Sequence, residues 1–577
     1  MGNCRCYNRR TVTRQPISVK YIQKVGTGAD DFVTLPIVNV SGTTYDVIVI
    51  GGGATGAGVA RDCALRGLRV LLLERHDYNH GASGRNHGLM HSGARYAVTD
   101  LDSARECIEE NNILRRIASH CIEATDGLFV TLPDDDMSYQ ATFVEACLKA
   151  GITAEVIDPQ QALSLEPALC PDVRGAVRVP DATIDPFALT HANVLDARLH
   201  GADTLTEHEV TDLLVENGRT QGVRALNHRT GQSQEFHAPI IINAAGIWGA
   251  GLLHRAGIDI QMFPAKGTML VYGQRVNQRV LNRCRRPSNA DILVPDGAMC
   301  LMGTTSDRIG IDEVDDMRVT DTEVSLLMRE GEKMVPQLAQ TRLLRAFAGV
   351  RPLIASDNDP TGRSISRGIV CMDHAARDGM EGLITITGGK LITYRKMAEQ
   401  ATDLACRKLG VEAVCQTATT PLPGSDSPAN EWDNYNPTHR SNATRRHGTR
   451  AQDIPMASAT DRTIICECRQ VSVGEVKYAI EQLQCHNLVE LLRRTRLGMG
   501  VCQGKNCVCR AANLLAHISG DPDKAQRDLQ RLLDERWKGV KPVAWGNALR
   551  QAQLTATIYQ GLCGLDQAVN DRKEDQP

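Results

Sequence analysis

A chain of 577 residues and 62.9 kDa is too long for one compact core, and 42% hydrophobic content with only 4% aromatics suits aliphatic cores of parallel sheets under helices. The 65 Lys and Arg against 68 Asp and Glu leave a formal net charge of -3, so no overall field draws the chain to nucleic acid. No apolar run reaches the roughly 18 residues of a membrane span, and the opening MGNCRCYNRRTVTRQ lacks the apolar segment of a secretory signal.

Residues 1–43 show no sustained periodicity and read as an N-terminal extension; its Met-Gly start is no myristoylation signal, because Cys6 stands where that motif needs Ser or Thr. TYDVIVI at 44–50 is the first strand. It runs into Gly51-x-Gly53-x-x-Gly56, a helix to about Arg66, and a second strand ending at Glu74, 23 residues after Gly51. The first glycine permits a tight turn, the second lets backbone approach a pyrophosphate, and the third lets helix and sheet pack closely. Glu74 is placed to accept hydrogen bonds from a ribose. Strand, turn, helix, strand and acid agree on a dinucleotide site, without choosing between NAD and FAD.

Apolar strands alternate with helical patterns to about Cys415, so residues 44–415 form one α/β region. Cys63, Cys107, Cys147 and Cys406 fall in helical apolar patterns and read as small core residues. Nineteen cysteines without an export signal point to a reducing compartment. Pro, Ser, Thr and Asn then crowd 417–450, which marks 416–461 as a linker or loosely structured connection. In the segment 462–515, Ser472 three residues before Glu475 and Asn487 three before Glu490 predict two N-capped helices. Residues 516–577 read as two more helices.

The capped helices lie between Cys466-x-Cys468 and Cys502-x4-Cys507. Four thiolates complete the ligand set of a [2Fe-2S] cluster. Structural zinc is the main rival, although the single-residue gap of the first pair is shorter than usual zinc spacings. Cys509 is an unassigned extra.

Four further stretches, GASGRNHGLMHSGARYA (81–97), IINAAGIW (241–248), AGVRPL (348–353) and TGGKLITYR (387–395), resemble the FAD-dependent glycerol-3-phosphate dehydrogenases, above all the large, flavin-carrying A subunits of the anaerobic enzymes. The likeness runs from about residue 44 to the C-terminus. CECRQVSVGEV and GMGVCQGKNC resemble an iron-sulfur domain of the bacterioferritin-associated-ferredoxin type. The resemblance implies an FAD-binding Rossmann-like domain with an interleaved α+β substrate domain, followed by a small helical iron-sulfur domain. It implies FAD held by Gly51, Gly53, Gly56, Glu74, Gly246 and Gly388, and a cluster held by Cys466, Cys468, Cys502 and Cys507. Arg95, Arg351 and Lys390 stand where the family contacts the phosphate of sn-glycerol 3-phosphate, which suits donors that match phosphate oxygens. The glycines before Lys390 suggest a strand end from which helix N-terminal amides face a flavin ring.

Single-subunit relatives carry a His after a KGS-like stretch, whereas AKGTML places Met269 there, and methionine cannot accept a proton. His91 is the substitute base. The implied reaction is hydride transfer from C2 to flavin with loss of the hydroxyl proton. Electrons would pass through two companions, one an FMN-associated subunit, the other an iron-sulfur membrane anchor, and then to menaquinone at the cytoplasmic face of the inner membrane. Two rival readings share these residues: an amino-acid or 2-hydroxy-acid oxidoreductase whose substrate carboxylate uses the same arginines, and a non-catalytic iron-sulfur delivery or iron-sensing protein.

Overall fold

The structure, a computed structural model, describes residues 44–354, 368–425, 437–562 and Leu565; the extension 1–43 lies outside the described residues. The first body is a six-stranded sheet in the order Ile369–Asp373, Leu383–Gly388, Ile240–Asn243, Val47–Ile50, Val70–Leu73, Asp203–Leu205. All neighbours are parallel except the Ile369–Asp373 edge. Strand Val47–Ile50 is buried on both faces, as a central parallel strand requires. One face packs on the helices Ala54–Leu65 and Tyr394–Leu409 through an aliphatic core that includes Cys63 and Cys406. All four cysteines read as core residues are buried.

A nine-stranded mixed sheet forms the interleaved second body. Its longest pair is Met262–Tyr272 with Leu343–Ile354, antiparallel, with Ala265 opposite Arg351, Gly267 opposite Gly349, Met269 opposite Phe347 and Val271 opposite Arg345. Because side chains alternate along a strand, Arg345, Phe347, Gly349 and Arg351 share one face. That face becomes the wall of two cavities.

The C-terminal body has its own core, in which helices Val473–Gln482, Leu488–Thr495, Cys507–Ser519 and Lys524–Val540 surround Cys466, Leu491 and Leu515. Ser472 accepts the Glu475 amide and Asn487 the Glu490 amide, so both predicted caps form. The last segment contains the helices Lys524–Val540 and Gly546–Thr557.

The stretch read as a linker is in part built. Helix Pro437–His447 lies in it, Leu422 is buried and bonds through its amide to Ile117, and Ala443 packs on Ile454 and Tyr478. The reason is ionic. Glu475 is buried and accepts from Arg446 at 2.6 Å and from His447 at 2.9 Å, a pairing that composition does not reveal. Burial works against the Glu475 charge, but Arg446 and His447 outweigh it and hold its carboxyl down at about 2.

The C-terminal body docks beside the end of strand Val70–Leu73. The buried Asp77 receives Arg493 at 2.8 Å and Arg494 at 2.9 Å, Asp185 receives Arg496 at 2.8 Å, and Gln484 accepts from Thr204 at 3.0 Å.

Candidate functional site

The glycine turn joins its strand to helix Ala54–Leu65 with Gly51 at φ +105°. A Cβ on Gly56 would lie 1.9 Å from the Gly51 carbonyl oxygen, and one on Gly51 would lie 2.7 Å from that of Ala244. Only hydrogen fits at these two positions, for want of space at Gly56 and of both space and conformation at Gly51. Ser83 accepts the Ala54 amide at 2.9 Å and bounds the room over Gly53. Glu74 is half-buried and receives the amides of Gly52 at 2.6 Å and His76 at 2.8 Å, which fix it across the turn.

From this turn a cavity of about 940 Å³ opens between the two sheets. Its walls include Gly51, Gly53, Glu74, His91, Arg95, Gly246, Arg351, Gly388 and Lys390. Residues expected from several separate stretches thus meet around one space. Gly56 stands behind the wall as a packing residue. Gly246, at φ +57°, has no atom within 4 Å of where its Cβ would point, so nothing there blocks a large ligand. Strand Leu383–Gly388 ends at two left-handed glycines, followed by a short 3-10 turn and helix Tyr394–Leu409, the strand-glycine-helix geometry expected of TGGKLITYR.

At the far end Arg351 donates to the Thr304 hydroxyl at 2.7 Å and to the Thr305 carbonyl at 3.1 Å. Its guanidinium crosses directly over Gly267, where a Cβ would come within 2.5 Å. Lys390 is buried with its Nζ 4.7 Å from the centre of the Tyr96 ring, a cation over an aromatic face. The His91 ring lies 5.4 Å from the same Tyr96. Met269, expected from sequence to stand at the position of a base, lines the cavity. Arg95 lines the cavity and is also tied to its wall. It is bound to the buried Asp291 at 2.8 Å and to the Ser288 carbonyl at 3.1 Å, so at least one of its amino groups is already engaged in holding the wall.

Arg85, His80, Ser83, Trp248, Thr304 and Ser306 also line the cavity, beyond the residues that sequence points to. Burial, with Arg85 and His76 beside it, pulls His80 down to about 2, so it faces the cavity neutral. Arg85 and His80 lie in or beside the GASGRNHG stretch and could have been found there. Thr304 and Ser306 enter only through sheet pairing.

The second site is a chain of thiols. Cys466 and Cys502 each hydrogen-bond with Cys507, and Cys502 also meets Cys468. The hydrogen bonds of Cys507 pull Cys466 down to about 6 and Cys502 to about 5; amides of Gly498 and Arg469, and of Gly504 and Lys505, add to this. The loop carrying Cys502 has left-handed residues at Gly498, Gln503 and Gly504, which turn successive amides toward the sulfurs. Among the described residues no three His, Cys, Asp or Glu groups already surround one metal position, whereas a two-iron cluster asks for soft thiolates in pairs. Cys509 lies on helix Cys507–Ser519, two residues past Cys507.

Residues 46–395 match the family described as FAD dependent oxidoreductase, and residues 464–517 the BFD-like [2Fe-2S] binding domain. The chain is 58% identical to the A subunit of anaerobic glycerol-3-phosphate dehydrogenase from Escherichia coli (strain K12), over 91% of this chain and 98% of that protein. With the corresponding protein of Haemophilus influenzae the identity is 53%, over 92% and 95%. The X-ray structure of glycerol-3-phosphate dehydrogenase from Bacillus halodurans, complexed with FAD, superposes with a TM-score of 0.65 at 22% identity, over 88% of this chain and 97% of that one, a likeness of fold.

Proposed function

Since the chain belongs to the FAD-dependent oxidoreductases, and within them to the A subunits of anaerobic glycerol-3-phosphate dehydrogenase, we propose that it oxidises sn-glycerol 3-phosphate to dihydroxyacetone phosphate and passes the electrons on through its thiol-bound cluster. One observation carries the reading: a single cavity runs from the glycine turn to Arg351 and Lys390. The turn, Glu74, Gly246 and Gly388 would hold FAD, and the open space over Gly246 fits a large ring system. When bound, FAD supplies the two-electron acceptor for the hydride on C2 of the substrate.

The chain's own residues do the rest. Arg351, oriented by Thr304 and Thr305, offers its charge to the phosphate dianion, and Lys390 adds a second cation from the opposite wall. Arg95, anchored to Asp291, holds the segment of His91 and Tyr96 in place. His91 accepts the C2 hydroxyl proton on an imidazole nitrogen as the C2 hydride departs, which leaves the ketone. Met269 keeps that part of the wall free of a second base.

Cys466, Cys468, Cys502 and Cys507 would hold a [2Fe-2S] cluster, which supplies a one-electron relay. That the relatives are themselves parts of a larger enzyme supports companion subunits. We take one to be an FMN-associated subunit, the other an iron-sulfur membrane anchor, which together deliver electrons to menaquinone at the cytoplasmic face of the inner membrane. No helix among the described residues is long and apolar enough to cross a membrane.

Anaerobic titration of the FAD-loaded protein with glycerol 3-phosphate tests the reading. The flavin absorbance bleaches with glycerol 3-phosphate and not with amino or 2-hydroxy acids; bleaching by the acids alone would overturn the substrate assignment.

A further inference from the structure

A second cavity, of about 710 Å³, lies where the thiol-bearing body meets the flavin-binding body. Its floor is the other end of the paired strands, with Val271, Met299, Leu301 and Phe347. Arg345 lies opposite Val271 on the same sheet face, its guanidinium 5.5 Å from the centre of the Phe347 ring. Its Nε is sealed from solvent and has no hydrogen-bond partner. Among the described residues no carboxylate pairs with Arg345 either. The carboxylates of the same cavity serve other cations: Asp185 holds Arg496, Glu123 holds Arg275 and Arg445, Asp315 holds Arg75 and Glu209 meets His228 at 3.0 Å, while Asp296 stands 3.8 Å from Arg469 and Glu535 4.0 Å from Lys538.

Arg345 is half-buried, but a guanidinium nitrogen sealed from water without an acceptor is costly, and such atoms mark places where a partner belongs. Two further guanidinia press on this one. Burial, then the charges of Arg536 and Arg496, outweigh the smaller opposing charge of Asp296 and bring Arg345 down to about 10. Arg536 gives its own hydrogen bonds to the carbonyls of Gly498 and Gln503, which neutralise no charge. A dianion relieves such crowding better than a monoanion does, and a guanidinium fork matches phosphate oxygens. The volume falls in the range of small-molecule sites.

We propose that this cavity is a second ligand site, for a phosphate monoester with an apolar ring or chain, its phosphate on Arg345 and its organic part on the floor of Val271 and Phe347. It adjoins the flavin cavity, with which it shares Arg75, His80, Arg85 and His87, but its Arg345 end is distinct from the Arg351 end. Arg351 lies six residues along the same strand from Arg345, about 20 Å at roughly 3.4 Å per residue. The ligand would lie between the flavin cavity and the thiol loop, whose Met499 and Gln503 also line the space.

Phenyl phosphate is the probe, counted by equilibrium dialysis on the full-length, FAD-loaded protein. The wild type shows two classes of site, Arg351→Gln retains the one at Arg345, and Arg345→Gln weakens that one at least tenfold while its flavin is still bleached by glycerol 3-phosphate. Phenol and inorganic phosphate each bind the Arg345 site at least tenfold less tightly than phenyl phosphate. Arg345→Lys, which keeps the charge but loses the fork, falls between wild type and Arg345→Gln. An Arg351→Gln protein that binds no phenyl phosphate would overturn the proposal, whether or not Arg345→Gln folds. So would an Arg345→Gln protein that binds the probe as the wild type does.

Discussion

The flavin cavity draws its wall from Ile50 to Met397, whereas the four thiols fall between Cys466 and Cys507, two of them in one small core and Cys468 and Cys502 at its surface. The first site is made largely of backbone: glycines that leave room, amides at a helix start, and strands whose pairing brings Gly267 under Arg351. The second is made of side-chain donors from a strand end, two turns and a helix start, trimmed by local amides. A site of the first kind exists only when the whole body is folded. One of the second kind can lose its ligand set and leave the rest of the protein standing.

The largest expected effect follows from the glycine turn. In Gly56→Val the new side chain begins 1.9 Å from the Gly51 oxygen, a backbone atom that cannot step aside alone. The variant loses FAD, read as the flavin-to-protein absorbance ratio, and its thermal transition falls. Normal flavin content would show that the turn tolerates what its geometry forbids.

Next comes Cys502→Ser, which exchanges a soft thiolate for a hard, protonated oxygen. The protein keeps FAD and is bleached by glycerol 3-phosphate, yet shows no paramagnetic cluster signal on reduction. Loss of FAD in this variant would show that the two regions are not separable.

A smaller effect belongs to Arg351→Gln. It removes a charged donor from the substrate end while leaving the turn intact, at a cost of about 1.5 to 3 kcal/mol per charge-assisted hydrogen bond lost, or roughly ten- to hundredfold in kcat/KM. Steady-state kinetics with an artificial acceptor checks it; unchanged kcat/KM with flavin bound removes Arg351 from the site.

The smallest concerns acid. Glu475, at about 2 in the folded protein, and Asp77, which Arg494 and Arg493 hold well below the usual range against burial, both have depressed values. Their stabilisation is complete above the unfolded carboxylate range near pH 4 and is lost as pH falls through the folded values. Glu490 has the opposite sign: burial and the Asp77 charge raise it to about 7, so its contribution declines as pH rises from about 4 to 7. Calorimetry of the full-length protein should therefore show the transition that includes the C-terminal body most stable near pH 5, with a fall on either side. A monotonic rise up to pH 7 would contradict this balance.

The same contrast explains what could be read from sequence. Both helix caps and the glycine turn are encoded in short spacings, and each forms as its residues imply; the two cysteine pairs, also read from spacing, come within hydrogen-bond reach of one another. Arg351, Lys390 and His91 were traceable through local stretches, although their meeting depends on the register of strands 262–272 and 343–354. Nothing local could show that Arg95 is held by Asp291, 196 residues away, or that Thr304 steers Arg351. The Pro437–His447 helix leaves no local trace because its anchor, Glu475, lies beyond it in the chain.

The central claim is that electrons enter at the cavity of Arg351 and leave through the thiols of the C-terminal body. The most direct test mixes protein carrying both cofactors with glycerol 3-phosphate anaerobically and follows flavin absorbance and the cluster's paramagnetic signal in one sample. The account predicts that the flavin bleaches first, that the cluster signal then grows, and that protein stripped of FAD shows neither. A cluster signal raised by glycerol 3-phosphate in the FAD-free protein, or a bleached flavin beside a cluster that never becomes reduced, would contradict it.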